Sequence, residues 1–178
     1  METVRVAACP QCQVFWFADG EPAGCVHDDH EHHQLRVHRH RSRVVLPDGS
    51  TITAVSFDPA DPYGRDEQPD FGLYLDDRWQ PPWRHEHFAW PDFGVPGDPQ
   101  ALVLALQALL ERARAGQCVE VGCLGGHGRT GTALACLAVL CGHPPDDAVA
   151  WVRERYCADA VETEQQRAFV LACPSPSM

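Results

Sequence analysis

The chain has 178 residues, 44% hydrophobic and 22% charged, which suits one soluble globular domain with a full core. Its formal charge of −11 excludes bulk attraction to nucleic acid or anionic membranes, so any anion it binds needs a local site, and neither is expected as a partner. All 14 basic residues are arginine. The opening Met1–Pro10 stretch has no sustained apolar run, and the longest apolar runs, near 101–110 and 132–141, are too short to cross a bilayer. The expected setting is therefore a reducing cytoplasm, where the nine cysteines act as nucleophiles, metal ligands or core filler.

Composition separates a Cys/His-rich segment, 1–42, from a domain over 43–178. In the first segment Cys9, Cys12, Cys25 and His30 follow the spacing Cys-x2-Cys-x12-Cys-x4-His, a candidate ligand set for structural zinc. Asp19–Gly24 is a poor helix, so a small knuckle or ribbon is expected rather than a ββα finger. His27, His32 and His33 are rival ligands. A histidine-rich surface arm with adventitious metal affinity is the other reading.

Beyond it, Val44–Leu46 and Thr51–Val55 flank Pro47-Asp48-Gly49-Ser50, which predicts a hairpin. Phe71–Leu75 and His87–Trp90 read as short strands. Pro99–Ala115 reads as a helix with Leu102, Leu106, Leu109, Leu110 and Ala113 on one face and Gly116 as its stop. Cys118–Val121 is a brief buried strand. Thr130–Cys141 is a helix apolar on nearly all sides and belongs in the core. Pro145–Tyr156 is amphipathic. Thr163–Ala172 is a last helix, with Thr163 as N-cap and Gln166 completing a capping box. The pattern is α/β: a short central sheet flanked by helices, with a small Cys/His-rich amino-terminal appendage.

Chemistry concentrates in Val121-Gly-Cys-Leu-Gly-Gly-His-Gly-Arg-Thr-Gly-Thr132. A strand enters, a helix leaves, and glycines fill three of the five positions between Cys123 and Arg129. Gly125, Gly126 and Gly128 free the backbone to turn its N–H groups inward. With Leu124, His127 and the start of the helix they form a cradle for a dianion. Arg129 can grip two phosphate oxygens with its planar fork. The same field favours the thiolate of Cys123, the nucleophilic form. Thr130 can donate to that sulfur when it leaves. A glycine-rich turn around a buried cysteine is the bland alternative, but it accounts for neither Arg129 nor the acidic loop upstream.

Cys-Leu-Gly-Gly-His-Gly-Arg-Thr-Gly resembles the signature loop of the cysteine-dependent protein tyrosine and dual-specificity phosphatases. Trp90-Pro-Asp-Phe-Gly-Val-Pro96 is similar to that family's acid-bearing mobile loop. Glu162-Thr-Glu-Gln-Gln166 resembles its glutamine-bearing segment, which positions water. The resemblance spans about residues 43–172. It implies a protein-tyrosine-phosphatase-like mixed sheet and a cysteinyl-phosphate mechanism that needs no cofactor for catalysis. One position departs: the family has His immediately before the cysteine, where it helps hold the loop and tune the thiol, and this chain has Gly122.

Asp92 is then the candidate acid for the leaving oxygen, a role worth typically about 10²–10⁴-fold. Outside the Trp-Pro-Asp phrase, a turn-forming Asp after Pro would be the default reading. Gln166 is the candidate for orienting water, against the ordinary alternative of a surface helical glutamine. The length leaves no room for the insertions that build deep phosphotyrosine pockets, and no lysine or second arginine lies between Cys123 and Arg129. The expected substrate is a phosphorylated protein or a small phosphoester at a compact site of dual-specificity type. The competing reading is a phosphate- or phosphopeptide-binding module whose turnover is impaired by Gly122.

Overall fold

A computed structural model describes residues 4–8, 15–17, 31–35, 40–58 and 61–175. The chain divides between His38 and Arg39 into two units. Among its described residues the first unit contains three strands, β1 (Val4–Ala8), β2 (Phe15–Phe17) and β3 (Glu31–Leu35), in one antiparallel sheet ordered β2-β1-β3. Cys9, Cys12, Cys25 and His30 lie outside the described residues, as does His27. His32 and His33 belong to β3, paired with Ala7 and Val6.

The second unit carries a five-stranded mixed sheet. Its strands are β4 (Arg41–Val45), β5 (Thr51–Ser56), β6 (Phe71–Tyr74), β7 (His85–His87) and β8 (Val119–Cys123). The order is β4-β5-β8-β6-β7, antiparallel at β4/β5 and parallel elsewhere. β4 includes Arg41 and Ser42, which composition assigned to the amino-terminal segment. The β4–β5 turn forms because Gly49 supplies φ 87° and Asp48 accepts from the Ser50 backbone N–H and hydroxyl at 3.0 and 2.6 Å. Arg114 reaches across to Asp48 at 2.8 Å. β7 lies at His85–His87, earlier than the expected 87–90, because Trp90 turns away into the acidic loop.

Helix α1 (Pro99–Arg114) starts with Pro99 at its first position and the Asp98 side chain accepting from Ala101 N at 2.9 Å, and it ends before Gly116, φ 81°. Its leucine face is buried as expected. Helix α2 (Gly128–Leu140) is buried at every residue, the physical reason for an apolar sequence on all sides. Helices α3 (Pro145–Arg155) and α4 (Glu164–Leu171) pack against it. The Thr163 hydroxyl caps α4, accepting from Gln166 N at 3.2 Å. The other half of the expected capping box differs: fully buried Gln166 turns inward and accepts from Glu162 N at 2.8 Å.

Two apolar clusters hold the unit together. The larger joins β4, β5, β8 and the four helices. The smaller gathers Val55, Tyr74, Trp79 and Trp83 on the other side of β8. Within it Tyr74 stacks on Trp79, and its hydroxyl accepts from Trp83 Nε1 at 2.7 Å and bonds to the Glu120 carboxylate. Arg65 clamps Glu120 with two bonds of 3.1 Å, which satisfies a carboxylate that is only 2% exposed.

Candidate active site

The site stands at the carboxyl end of β8, the middle strand of the sheet, where ligands of α/β folds commonly bind. β8 ends at Cys123, the loop 124–127 follows, and α2 begins at Gly128. Phe57 N holds the loop entrance by donating to the carbonyls of Cys123 and Leu124 at 3.2 and 3.0 Å. The sulfur of Cys123 receives two hydrogen bonds, from Gly126 N at 3.2 Å and Thr130 Oγ1 at 3.0 Å.

The glycines of the loop play different parts. Gly126 alone has positive φ, 77°, and a Cβ there would meet His40 Cδ2 at 2.9 Å. At Gly125 the nearest atom would be 3.5 Å away, so the site is not sterically closed to a side chain. At Gly128 a Cβ would strike the Glu162 carboxylate at 2.1 Å and the Gln166 amide at 3.0 Å. Gly131 admits a second segment, since its Cβ would lie 2.6 Å from Ala160 Cβ and 3.0 Å from Val161 N. His127 holds the N-cap position of α2 without a side-chain bond to the helix, and the Glu162 carboxylate accepts from the first N–H of the helix, at Gly128.

Arg129 is 4% exposed. Its Nη1 donates to Leu75 O, Asp76 Oδ2 and Trp90 O at 3.0, 3.1 and 3.1 Å, and its Nη2 lies 3.2 Å from Asp92 Oδ1. Burial works against its charge, but Cys123, Asp92 and Asp76 outweigh that and hold the guanidinium firmly protonated. Its buried Nε has no hydrogen-bond partner among the described residues. An orphaned donor on a fixed guanidinium is what a phosphate oxygen would satisfy.

Asp92 lies in a tight turn closed by Gly94 N donating to Pro91 O at 3.1 Å and Trp90 Nε1 donating to Gly94 O at 2.9 Å. Phe93 adopts φ 57° there. Buried Trp90 anchors the turn against Phe169 of α4. Asp92 itself is 39% exposed at the rim. Gln166, buried in α4, reaches Gly128 at the start of α2, and its Nε2 has no partner among the described residues. The structure thus brings Cys123, Thr130, Arg129, Asp92 and Gln166 around one loop.

Two carboxylates join them that the sequence did not single out. Asp76 braces Arg129 from the end of β6, yet Asp76-Asp77 reads locally as a turn. Glu162 was visible only as part of the glutamine segment. It is exposed as a residue, but its carboxylate accepts from Gly128 N, and desolvation followed by repulsion from Asp92 pushes it up to about 7. The departure at Gly122 also has a steric cause. A Cβ there would sit 2.6 Å from Val55 Cγ2, 2.9 Å from Val55 O and 3.3 Å from Trp79 Cζ2. Val55 and Trp79 thus leave no room for a Cβ at this position.

Among the described residues no helix is long and apolar enough to cross a membrane. An uncharacterized protein of Methanocaldococcus jannaschii is 42% identical over 80 residues, 45% of this chain and 52% of that one, so the chain spans about half the length of this relative. The crystal structure of Tk-PTP in the active form aligns over 71% of this chain and 92% of its own, with 24% identity and a TM-score of 0.55. Kinase associated phosphatase, with its catalytic cysteine replaced by serine, aligns over 76% of this chain and 94% of its own, with 15% identity and a TM-score of 0.60. Both show a shared protein-tyrosine-phosphatase-like fold. The sequence model described as "Swiss Army Knife protein, DSP-PTPase phosphatase domain" matches residues 79–170, just over half the chain, from Trp79 beside Gly122 to the helix that carries Gln166. The chain therefore belongs to the PTP-SAK family of DSP-PTPase phosphatase domains.

Proposed function

We propose that the protein hydrolyses phosphate monoesters, of phosphotyrosine or dual-specificity type, through a cysteinyl-phosphate intermediate. The observation that carries this reading is the placement of Arg129 4% exposed, with Asp92 3.2 Å from one nitrogen and the Cys123 sulfur already accepting two hydrogen bonds. The substrate phosphate occupies the loop N–H groups of 124–129, where it displaces the Glu162 carboxylate from Gly128 N, and takes up the Arg129 Nε. The thiolate of Cys123 attacks phosphorus, the P–O bond to the leaving group breaks, and Asp92 gives that oxygen its proton. Water, held by Gln166, then attacks the phosphoryl group, the S–P bond breaks, the departing thiolate accepts a hydrogen bond from the Thr130 hydroxyl, and Asp92 takes the proton of that water. Positioning and preorganised charge supply most of the acceleration. All steps run on side chains of the chain, and the substrates in view are phosphorylated proteins or small phosphoesters.

The test is hydrolysis of a generic aryl phosphate from pH 5 to 8, with and without chelator. Cys123→Ser should abolish turnover, and Asp92→Asn should slow it by about 10²–10⁴-fold. Chelator should leave it unchanged. Absence of turnover in the wild type, with inorganic phosphate still bound, would favour the phosphate- or phosphopeptide-binding module instead.

A further inference from the structure

A second cluster of chemically active side chains touches the phosphate loop, and the hydrolysis uses none of these side chains. His40 precedes β4, His127 lies within the loop, and Cys157 follows α3. One ligand-type atom from each lies within 4.8 Å of the other two. His127 Nδ1 is 3.3 Å from Cys157 Sγ, and the His40 and His127 rings meet edge to face at 4.6 Å between centroids. His40 and Cys157 are buried, 8% and 9% exposed, while His127 is half-buried and leaves an approach for an ion.

We propose that His40, His127 and Cys157 form a site for a divalent ion of the zinc class, with water in the fourth position. Tetrahedral zinc, with bonds of about 2.0–2.3 Å, places nitrogen and sulfur ligands about 3.5 Å apart and two nitrogens about 3.3 Å apart. The His127–Cys157 pair already stands at such a spacing, and closing the longest edge requires a contraction of about 1 Å. One thiolate with two imidazoles selects zinc over magnesium or calcium, which prefer oxygen. The Cys157 proton passes to solvent on binding.

Each ligand is fixed by its backbone. His40 N donates to Ser56 Oγ, and Ser56 N to His40 O, both at 2.9 Å. Gly131 N donates to His127 O at 2.8 Å, and Ala160 N to Cys157 O at 3.0 Å. The metal would thus tie the phosphate loop to the start of β4 and to the turn behind α3. Neighbouring Tyr156 already donates to Gly126 O at 2.5 Å. The site does not depend on the hydrolysis reading, since its test reads metal alone.

The experiment is a cobalt(II) titration of the full chain carrying Cys9→Ser, Cys12→Ser, Cys25→Ser and Cys123→Ser, which removes the thiols of the amino-terminal candidate zinc set and of the phosphate loop. One equivalent should bind with a sulfur-to-cobalt charge-transfer band and the visible bands of a tetrahedral site, and zinc should displace it. Adding Cys157→Ser should abolish the charge-transfer band and weaken binding at least tenfold. Adding His40→Gln instead should keep the band and weaken binding about tenfold. No cobalt–thiolate band in the starting protein, or a band and affinity unchanged by Cys157→Ser, would overturn the proposal.

Discussion

Replacing Gly122 by alanine tests how tightly the sheet constrains the residue before Cys123. The new methyl group would meet Val55 Cγ2 at 2.6 Å, Val55 O at 2.9 Å and Trp79 Cζ2 at 3.3 Å, where ordinary contact begins at 3.4 Å. The Val55 methyl can rotate away. The Val55 carbonyl cannot, because Val55 stands opposite Gly122 in the parallel β5–β8 pairing, and Trp79 is fully buried against stacked Tyr74. The strands must part by about half an ångström, the gap between 2.9 and 3.4 Å. Overpacking of this kind costs typically about 1–3 kcal/mol, and rigid neighbours place this case near 2. For a domain of this size that is a fall of about 4–8 °C in melting temperature. Thermal denaturation followed by circular dichroism measures it. Adding Val55→Ala should recover only part of the loss, since the carbonyl remains. Gly122→His, although it matches the family pattern, should be worse than alanine in both melting temperature and turnover. A Gly122→Ala protein that melts with the wild type would refute the reasoning.

Three other outcomes follow from the site. Glu162, raised from 4.5 to about 7, keeps its proton in the fold after the unfolded chain has lost it, so its contribution to stability is full below about 4.5 and lost as pH rises through about 7; Glu162→Gln should flatten the decline of melting temperature between pH 5 and 8, and parallel curves for the two proteins would contradict this. Asp76→Asn removes the buried charge that braces Arg129 at 3.1 Å, and a loss of about 2 kcal/mol in phosphate grip corresponds to a roughly thirtyfold fall in kcat/KM, measured by steady-state kinetics. Gly131→Ala forces a methyl group to within 2.6 Å of Ala160 Cβ and 2.9 Å of its Cα, so urea unfolding should show a loss of about 1–3 kcal/mol, with an unchanged midpoint counting against the packing described.

Much of the architecture was legible because it is local. The leucine period of 102–110, Pro99 and Gly116 mark α1, and an unbroken apolar run marks the fully buried α2. The strand, loop and helix around Cys123 and Arg129 were legible because these residues and their glycines lie within one short stretch of chain. What the sequence hid are meetings over long separations, which leave no period behind. Asp76 and Arg129 are 53 residues apart, and the partners of Glu162 belong to other segments. His40 reads as one more histidine of the amino-terminal segment until the fold sets it beside His127 and Cys157. The roles of the glycines were also hidden, since only built contacts distinguish the closed position at Gly126 from the open one at Gly125.

Helix α2 leaves no residue of its 13 on the surface. The element that carries Arg129 and Thr130 is therefore also the keystone of the larger core, and it has no outer face on which to vary. A substitution in it alters packing and cradle together. Selection for a different substrate would have to work through the rim, at Asp92 and its turn or at Glu162, while the centre remains set by the requirement to fold.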